Sequence, residues 1–430
     1  MNPEFRRQLW LQFSATRAAL LPLLLAGCFA AVYLTVPGPS AIPLTWAGAV
    51  LFGVLVLGMG TLAAGASVTD EIADRTWDQQ RMSAMQPWAM TWGKLAGASA
   101  YGWYGGTLCL LVAVPSASMW EPLAYVAKLA LTAVLAGLFL QALLIAVNLQ
   151  LLKASSRVSR RGGVWALLLV LLWGSGTVLA TLRGQHVMWW NLSFDRLDFA
   201  LASLIVFMAC ALVAAWRSMA EVLAVRQMPW GWPALAVTAT AYLTGFTWTQ
   251  RTPVLGVVGL STCAVLTYFA LVTEPQPRPL WQRVVQRLRN GQWRAAIVQM
   301  PRWPTTLLLA LPFAVLTTLT LNRSAAMPWT LTDSMLLQPI AFVLLMARDC
   351  ALALYFAFSP KGRRPLMAFA VLMLVLYGLL PWLLGSGGST LLVSLVLPLM
   401  GNAGLSIAIA AAHLGAALAL LRWRWMATAP

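Results

Sequence analysis

The feature that most constrains this chain is a series of about a dozen apolar runs, each close to the roughly 20 residues a helix needs to cross the hydrocarbon of a bilayer. In lipid, every backbone N–H and C=O must be satisfied within its own element or a closed barrel, so runs of this length fold as helices. An all-α, polytopic integral membrane protein is therefore expected. Of 430 residues, 60% are hydrophobic and 10% charged, which excludes an ordinary soluble enzyme.

The expected spans are Ala18–Val36, Leu44–Ala66, Leu95–Val114, Leu123–Gln150, Val164–Leu182, Phe199–Ala215, Gly231–Trp248, Val254–Val272, Thr305–Leu321, Leu336–Phe358, Met367–Leu384 and Thr390–Leu421. Twelve crossings place both termini on one side. The last run is interrupted by Pro398, Gly401, Asn402 and Gly404, as a kinked helix or a re-entrant pair would be. No cleavable signal peptide is evident, because the run after Arg6, Arg7 and Arg17 is full length and lacks a small-residue cleavage site.

The formal charge of +17 does not call for a nucleic-acid partner. With the N-terminus cytoplasmic, alternate loops hold 23 Lys or Arg and the opposite loops only Arg183, Arg196, Arg251 and Arg323, with Lys128 and Arg348 inside spans. That asymmetry is the positive-inside bias that orients membrane proteins. The partner it implies is membrane lipid, including anionic lipid. Most of the 22 Trp, among them Trp88, Trp92, Trp189, Trp190, Trp303 and Trp423, fall near span ends, where indoles anchor at the headgroups. Cys28, Cys109, Cys210, Cys263 and Cys350 all lie in apolar runs without pairing or metal spacing and read as buried free thiols.

One stretch breaks the apolar monotony. Thr69–Lys94, between the second and third spans, carries Asp70, Glu71, Asp74 and Asp78, four of twelve carboxylates, along with Trp77, Met82, Met85, Trp88 and Trp92. Charge and aromatics together suit a short helix in the membrane interface, ended by Pro87. Two roles are open to it: an anchor for the bundle, or a surface for a soluble partner.

The order Glu71, Arg75-Thr76, Pro87, Gly93-Lys94 in this position resembles the permease subunits of ATP-binding-cassette exporters of the type-2 class. In that family an acidic residue, a Gly-Thr-like pair, a Pro and a Gly-Lys pair punctuate the segment that forms the coupling helix. Glu71, Thr76, Pro87, Gly93 and Lys94 match residue by residue; Arg75 stands where the family has Gly, and Trp77 where it has Leu. The resemblance implies a cytosolic ABC ATPase subunit as partner, gripping Asp70, Glu71, Asp74, Arg75, Thr76, Trp77, Arg81, Pro87, Gly93 and Lys94. It also implies a homodimer or pairing with a second permease, since an ATPase pair needs two docking sites. ATP and Mg would reside on that partner. This chain lacks G-x-x-x-x-G-K-[ST], so no bound cofactor, metal site or catalytic residue is expected of it. An acid-poor, Trp-rich, multi-pass chain of this kind suits a bacterial inner (plasma) membrane.

The resemblance covers residues 1–226, a six-span unit. Two further spans fill 227–273, a basic cytoplasmic linker 274–304, and a four-span unit 305–430 whose composition echoes the first four spans. In the linker, Leu280, Val284, Val285 and Leu288 share a helical face flanked by Arg283, Arg287 and Arg289, the pattern of an amphipathic helix on the inner leaflet. Arg348 and Asp349 are adjacent charges inside an apolar run, and intramembrane charge marks substrate sites or ion relays. They support a competing function, an ion-coupled secondary transporter. The bland alternative is that the span ends near Met346 and both residues sit at the interface. His186 and His413 are the only histidines, which excludes two bis-histidine haem pairs.

Overall fold

The computed structural model describes residues 2–36, 41–74, 76–83, 85–154, 186–225, 227–247, 253–321, 338–359, 365–386, 390–399 and 403–427. The chain divides into two compact units: 1–187 with 193–227, and 188–192 with 228–430. The second takes in the whole of the expected linker and both flanking groups of spans.

The first unit opens with α1 (Pro3–Gln12), capped by the Asn2 side chain, which accepts from the Glu4 N–H, and started by proline at its first position. Ser14 caps α2 (Ala15–Thr35) in the same way through the Arg17 N–H. Next comes one continuous helical stretch: α3 (Ala41–Phe52), a π-helical segment Gly53–Gly60, and α4 (Thr61–Ala73). The expected second span thus runs past Ala66, and Asp70 and Glu71 occupy its last turn. After α5 (Trp77–Arg81) the chain re-enters as α6 (Pro87–Ala98) and α7 (Ala100–Ala117). The expected continuous span Leu95–Val114 is therefore two helices, offset at Ser99 (φ −90°, ψ −2°).

The π segment has close neighbours. A Cβ on Gly102 would stand 2.6 Å from the Leu55 carbonyl oxygen, and one on Gly106 2.3 Å from Val56 Cγ2, so glycine there lets α7 approach as small residues do in membrane bundles. From α8 (Leu123–Ala154), Gln141 Nε2 donates to the Val56 carbonyl at 3.3 Å while its Oε1 accepts from Trp103 Nε1 at 3.0 Å. Seven residues on, Asn148 Nδ2 donates to the Gly65 carbonyl at 3.0 Å. Ala64, Val68, Met90, Leu95, Ile145, Leu149 and Met219 form the main core of this unit, the last from α9 (Arg196–Val222), which packs along α8. Lys128 of α8, expected inside a span, pairs with Asp198 at 2.6 Å. The expected span Val164–Leu182 lies outside the described residues.

Before α9, strands β1 (His186–Trp189) and β2 (Leu192–Asp195) form a two-stranded hairpin. Trp190 and Asn191 take φ of +54° and +59°, the left-handed pair that a tight hairpin turn requires. Trp189 Nε1 donates to the Tyr242 carbonyl at 3.0 Å, in α10 (Gly231–Thr247).

The second unit continues with α11 (Pro253–Thr273), α12 (Arg278–Arg289), α13 (Trp293–Gln299), α14 (Trp303–Leu321) and α15 (Pro339–Ala357). Then α16 (Pro365–Leu374) passes through a second π-helical segment, Val375–Leu379, into α17 (Leu380–Ser386). The last apolar run is two helices, α18 (Thr390–Val396) and α19 (Ala403–Ala427). α11 packs against α10 and α14 around Leu260, Cys263, Ala310, Ala314 and Val343, and α15 packs against α19 through Ala341, Leu345 and Ala410. The hydroxyls of Thr267 and Thr306 meet at 2.8 Å.

Among the described residues nine helical stretches are long and apolar enough to cross a membrane. The chain is an all-α polytopic membrane protein in character. α10 and the α6–α7 pair, each expected as a crossing, are not among the nine. Of the thiols, Cys109, Cys263 and Cys350 are buried, whereas Cys28 is exposed; α2 turns that face outward, toward where lipid would be.

Candidate functional site

The Thr69–Lys94 segment is held by a partner that sequence reasoning did not supply: α1. Gly93 and Gly97, one turn apart on α6, open a groove in which α1 lies. A Cβ on Gly93 would stand 2.7 Å from Glu4 Cβ and 2.9 Å from the Phe5 nitrogen, and one on Gly97 2.6 Å from Gln8 Cβ. Glycines four apart let two helix backbones meet this closely. Asn2 Nδ2 donates to the Ala89 carbonyl at the same contact.

Into this contact the chain brings four charges. Lys94 Nζ, wholly buried, donates to Glu4 Oε1 at 3.1 Å, to the Ser67 carbonyl at 3.3 Å and to Glu71 Oε2. Arg7 donates from Nε and NH2 to Glu4 at 3.0 and 2.9 Å, and from NH2 to Glu71 Oε1. Gln8 Nε2 donates to Glu4 Oε1 at 3.0 Å and to Glu71 Oε1 at 3.4 Å. Two carboxylates and two cations make the group neutral, which is how buried charge is tolerated. Burial alone would push the Glu4 carboxyl up. Hydrogen bonds from Arg7 and Gln8 and the charges of Lys94 and Arg7 outweigh it and bring the pKa from its ordinary 4.5 down to about 2. The Glu4 hydrogen bond likewise lifts the Arg7 guanidinium above its ordinary value, against the effect of burial.

Of the ten residues expected to grip an ATPase, four are buried, Asp70, Thr76 and Pro87 are half-buried, and Asp74 alone among those described is exposed. Glu71, Trp77, Gly93 and Lys94 are buried. Trp77 sits in the core with Val68 and Met90, its ring 5.7 Å from Lys94 Nζ. Thr76 ties the turn back to α4: its N–H and Oγ1 donate to the Glu71 carbonyl at 2.9 and 3.2 Å. Pro87 is the first residue of α6, and Asp70 is half-buried beside Thr69, whose Oγ1 lies 3.4 Å from Asp70 Oδ1. The solvent-facing tip is Asp74, Asp78, Gln79, Met82 and Ser83. Arg75 lies outside the described residues, as does the side chain of Arg81.

Arg348 and Asp349 form a second buried group. They are the tenth and eleventh of 19 residues in α15, about 14 Å from either end at 1.5 Å per residue. The helix itself does not stop near Met346: it runs on to Ala357, and Cys350, Ala351 and Leu352 continue its buried apolar face. Asp349 Oδ1 accepts from Arg348 Nε at 2.9 Å and NH2 at 2.7 Å, while Oδ2 accepts from Tyr268 at 2.7 Å and Tyr377 at 2.6 Å. Arg348 NH2 also contacts the Tyr377 hydroxyl at 2.8 Å, and NH1 approaches His413 Nδ1 at 3.3 Å. Tyr377 reaches this group from the second π segment, a helix irregularity that recurs at functional sites.

Sequence reasoning missed Glu4, Arg7 and Gln8 on one side and Tyr268, Tyr377 and His413 as a set on the other. The Gly93-x-x-x-Gly97 spacing was the available signal for a helix packed on α6. Among protein-family models, curated proteins and solved structures, none matches the chain.

Proposed function

We propose that this chain is the membrane-spanning subunit of an ATP-binding-cassette exporter, working with a separate cytosolic ATPase as a pair of permease copies in a bacterial inner membrane. It would cross about twelve times, both termini on the ATPase side. The observation that carries the reading is the division of Thr69–Lys94 into an exposed tip and a charged, buried root. A soluble motor that pushed on Asp74, Asp78, Gln79 and Met82 would move α4, α6 and α1 together, since Glu71, Lys94, Glu4 and Arg7 bind the three helices through hydrogen-bonded charges. Force would enter the bundle at the end of the second span. The segment acts as a lever and carries out no bond chemistry.

Affinity purification from the native membrane tests this. The wild-type chain should bring down a soluble nucleotide-binding protein, and Asp74→Lys with Gln79→Lys should abolish the association while insertion and thermal stability stay unchanged. Glu71→Ala should weaken both association and stability, because Glu71 belongs to the root. Transport that persists without any ATPase and collapses with an ionophore would overturn the reading.

The second reading, an ion-coupled secondary transporter, rests on the Arg348–Asp349 group midway along α15. There, Asp349→Asn would abolish proton- or sodium-driven uptake into proteoliposomes.

A further inference from the structure

The α12–α13 hairpin is pinned to the membrane at both ends. α11, a candidate span, ends at Thr273, and α14, another, begins at Trp303. The two ends are clamped to each other: Arg302 Nε pairs with Glu274 Oε1 at 3.0 Å, the Arg302 N–H donates to Glu274 Oε2 at 2.8 Å, and Gln276 Oε1 accepts from Trp281 and Trp303 at 3.2 and 3.4 Å. Four residues separate α11 from α12 and three separate α13 from α14, so both ends of the hairpin start beside a candidate span.

Along α12 the apolar residues Leu280, Trp281, Val284, Val285 and Leu288 share one side, and the arginines flank it: 283 and 287 on one edge, 278 and 289 on the other. At Val284 this side is covered by protein, with 1% exposure; one turn later, at Leu288, it is open, with 47%. The turn follows at Gly291, where φ is +72°, and Trp293 at the start of α13 is 54% exposed. Arg287 NH1 donates to the Ala295 carbonyl at 3.1 Å, so the two arms are tied and the tip projects as one piece. Exposed at or near the tip are Arg283, Arg289 and Arg294, and from Pro275 to Thr332 the chain has no Asp or Glu to answer them.

We propose that this tip is a docking site for anionic phospholipid, with Leu288 and Trp293 seated at the acyl boundary and Arg283, Arg289 and Arg294 on headgroup phosphates. Arginines that flank an apolar face extend outward to phosphate while their methylene stems cover the lipid beneath. Charge complementarity identifies the occupant: a cationic, acid-free tip held at the membrane surface meets the negatively charged leaflet first. The site is independent of how transport is powered.

Hydrogen exchange followed by mass spectrometry, on the full chain in nanodiscs, tests it. Amides of residues 286–296 should exchange about tenfold more slowly in discs containing phosphatidylglycerol than in phosphatidylcholine alone, and the difference should shrink as salt is raised. Arg289→Gln with Arg294→Gln should reduce that difference by about fivefold or more, with exchange in α11 and α14 unchanged as the check on folding. Equal exchange of the wild-type hairpin in both discs would overturn the proposal. So would the same protection from inorganic phosphate in phosphatidylcholine discs, which would make the tip a site for free anions rather than lipid.

Discussion

Replacing Lys94 by methionine keeps the length of the side chain and removes its charge from a site with no solvent. The neutral group of Glu4, Glu71, Arg7 and Lys94 becomes an anion with net charge −1, whose two carboxylates are only 1% and 8% exposed. At the 3.1 Å separation of Lys94 Nζ and Glu4 Oε1, the lost attraction is about 5 kcal/mol for an effective dielectric of about 20. Part of that is offset because the ammonium no longer has to be desolvated. Removing one partner of a buried pair costs about 3–5 kcal/mol overall. Spread over a unit of this size, that lowers the melting temperature by roughly 6–20 °C. The assay is thermal unfolding of the purified chain in detergent, with hydrogen exchange of α1 as the local readout. Glu4→Gln in the Lys94→Met background restores neutrality, leaving Glu71 with Arg7, and should recover about half of the loss. A Lys94→Met shift below about 2 °C, or a double variant whose loss equals the sum of the two single losses, would refute the claim that these charges act as one buried group.

Glu4 has a folded pKa below its unfolded one, so its contribution to stability is complete above about pH 4.5 and is lost as pH falls toward about 2; α1 amides should lose protection across that window in the wild type and show no such step in Glu4→Gln. Gly93→Ala should destabilise by about 1–3 kcal/mol, because the new methyl meets the Phe5 backbone, whereas Gly27→Ala, with nothing within 4 Å, should leave stability level or raise it by up to about 1 kcal/mol. In the second unit, Tyr268→Phe and Tyr377→Phe each take one donor from Asp349 Oδ2 and should cost about 1 kcal/mol apiece. Together they should cost more than the sum in thermal unfolding, since only the double variant leaves Oδ2 bare of tyrosine.

What the sequence makes legible is set by the range of the signal. Apolar runs of membrane length announce helices wherever they occur, and α12 was readable to within its own turn because its apolar side repeats locally. Glu71 and Lys94 stood out because charge is scarce in this chain. Their partners did not, because Glu4 lies 90 residues from Lys94 and Tyr268 lies 81 from Asp349, and no local pattern encodes a meeting at that distance. The extension of α4 through Glu71 was missed for a related reason. A charged residue reads as outside a span, yet here its charge is answered by α1, so the helix continues past the last apolar residue. The two π segments left no trace in a glycine- and leucine-rich run, and the side chains that meet them, Gln141 at Val56 and the Arg348–Asp349 group at Tyr377, are distant in sequence or carry no local pattern.

The grip of the first helix on Lys94 also sets an order of assembly. At ordinary rates of synthesis, the 90 residues separating Glu4 from Lys94 take roughly 5–18 s to emerge from the ribosome. Glu71 comes first, 64 residues behind Arg7, and offers α1 a partial joint through Arg7 and Gln8. Lys94, 23 residues behind Glu71, arrives next and closes the joint, so α1 settles only after α4 and the start of α6 have followed it.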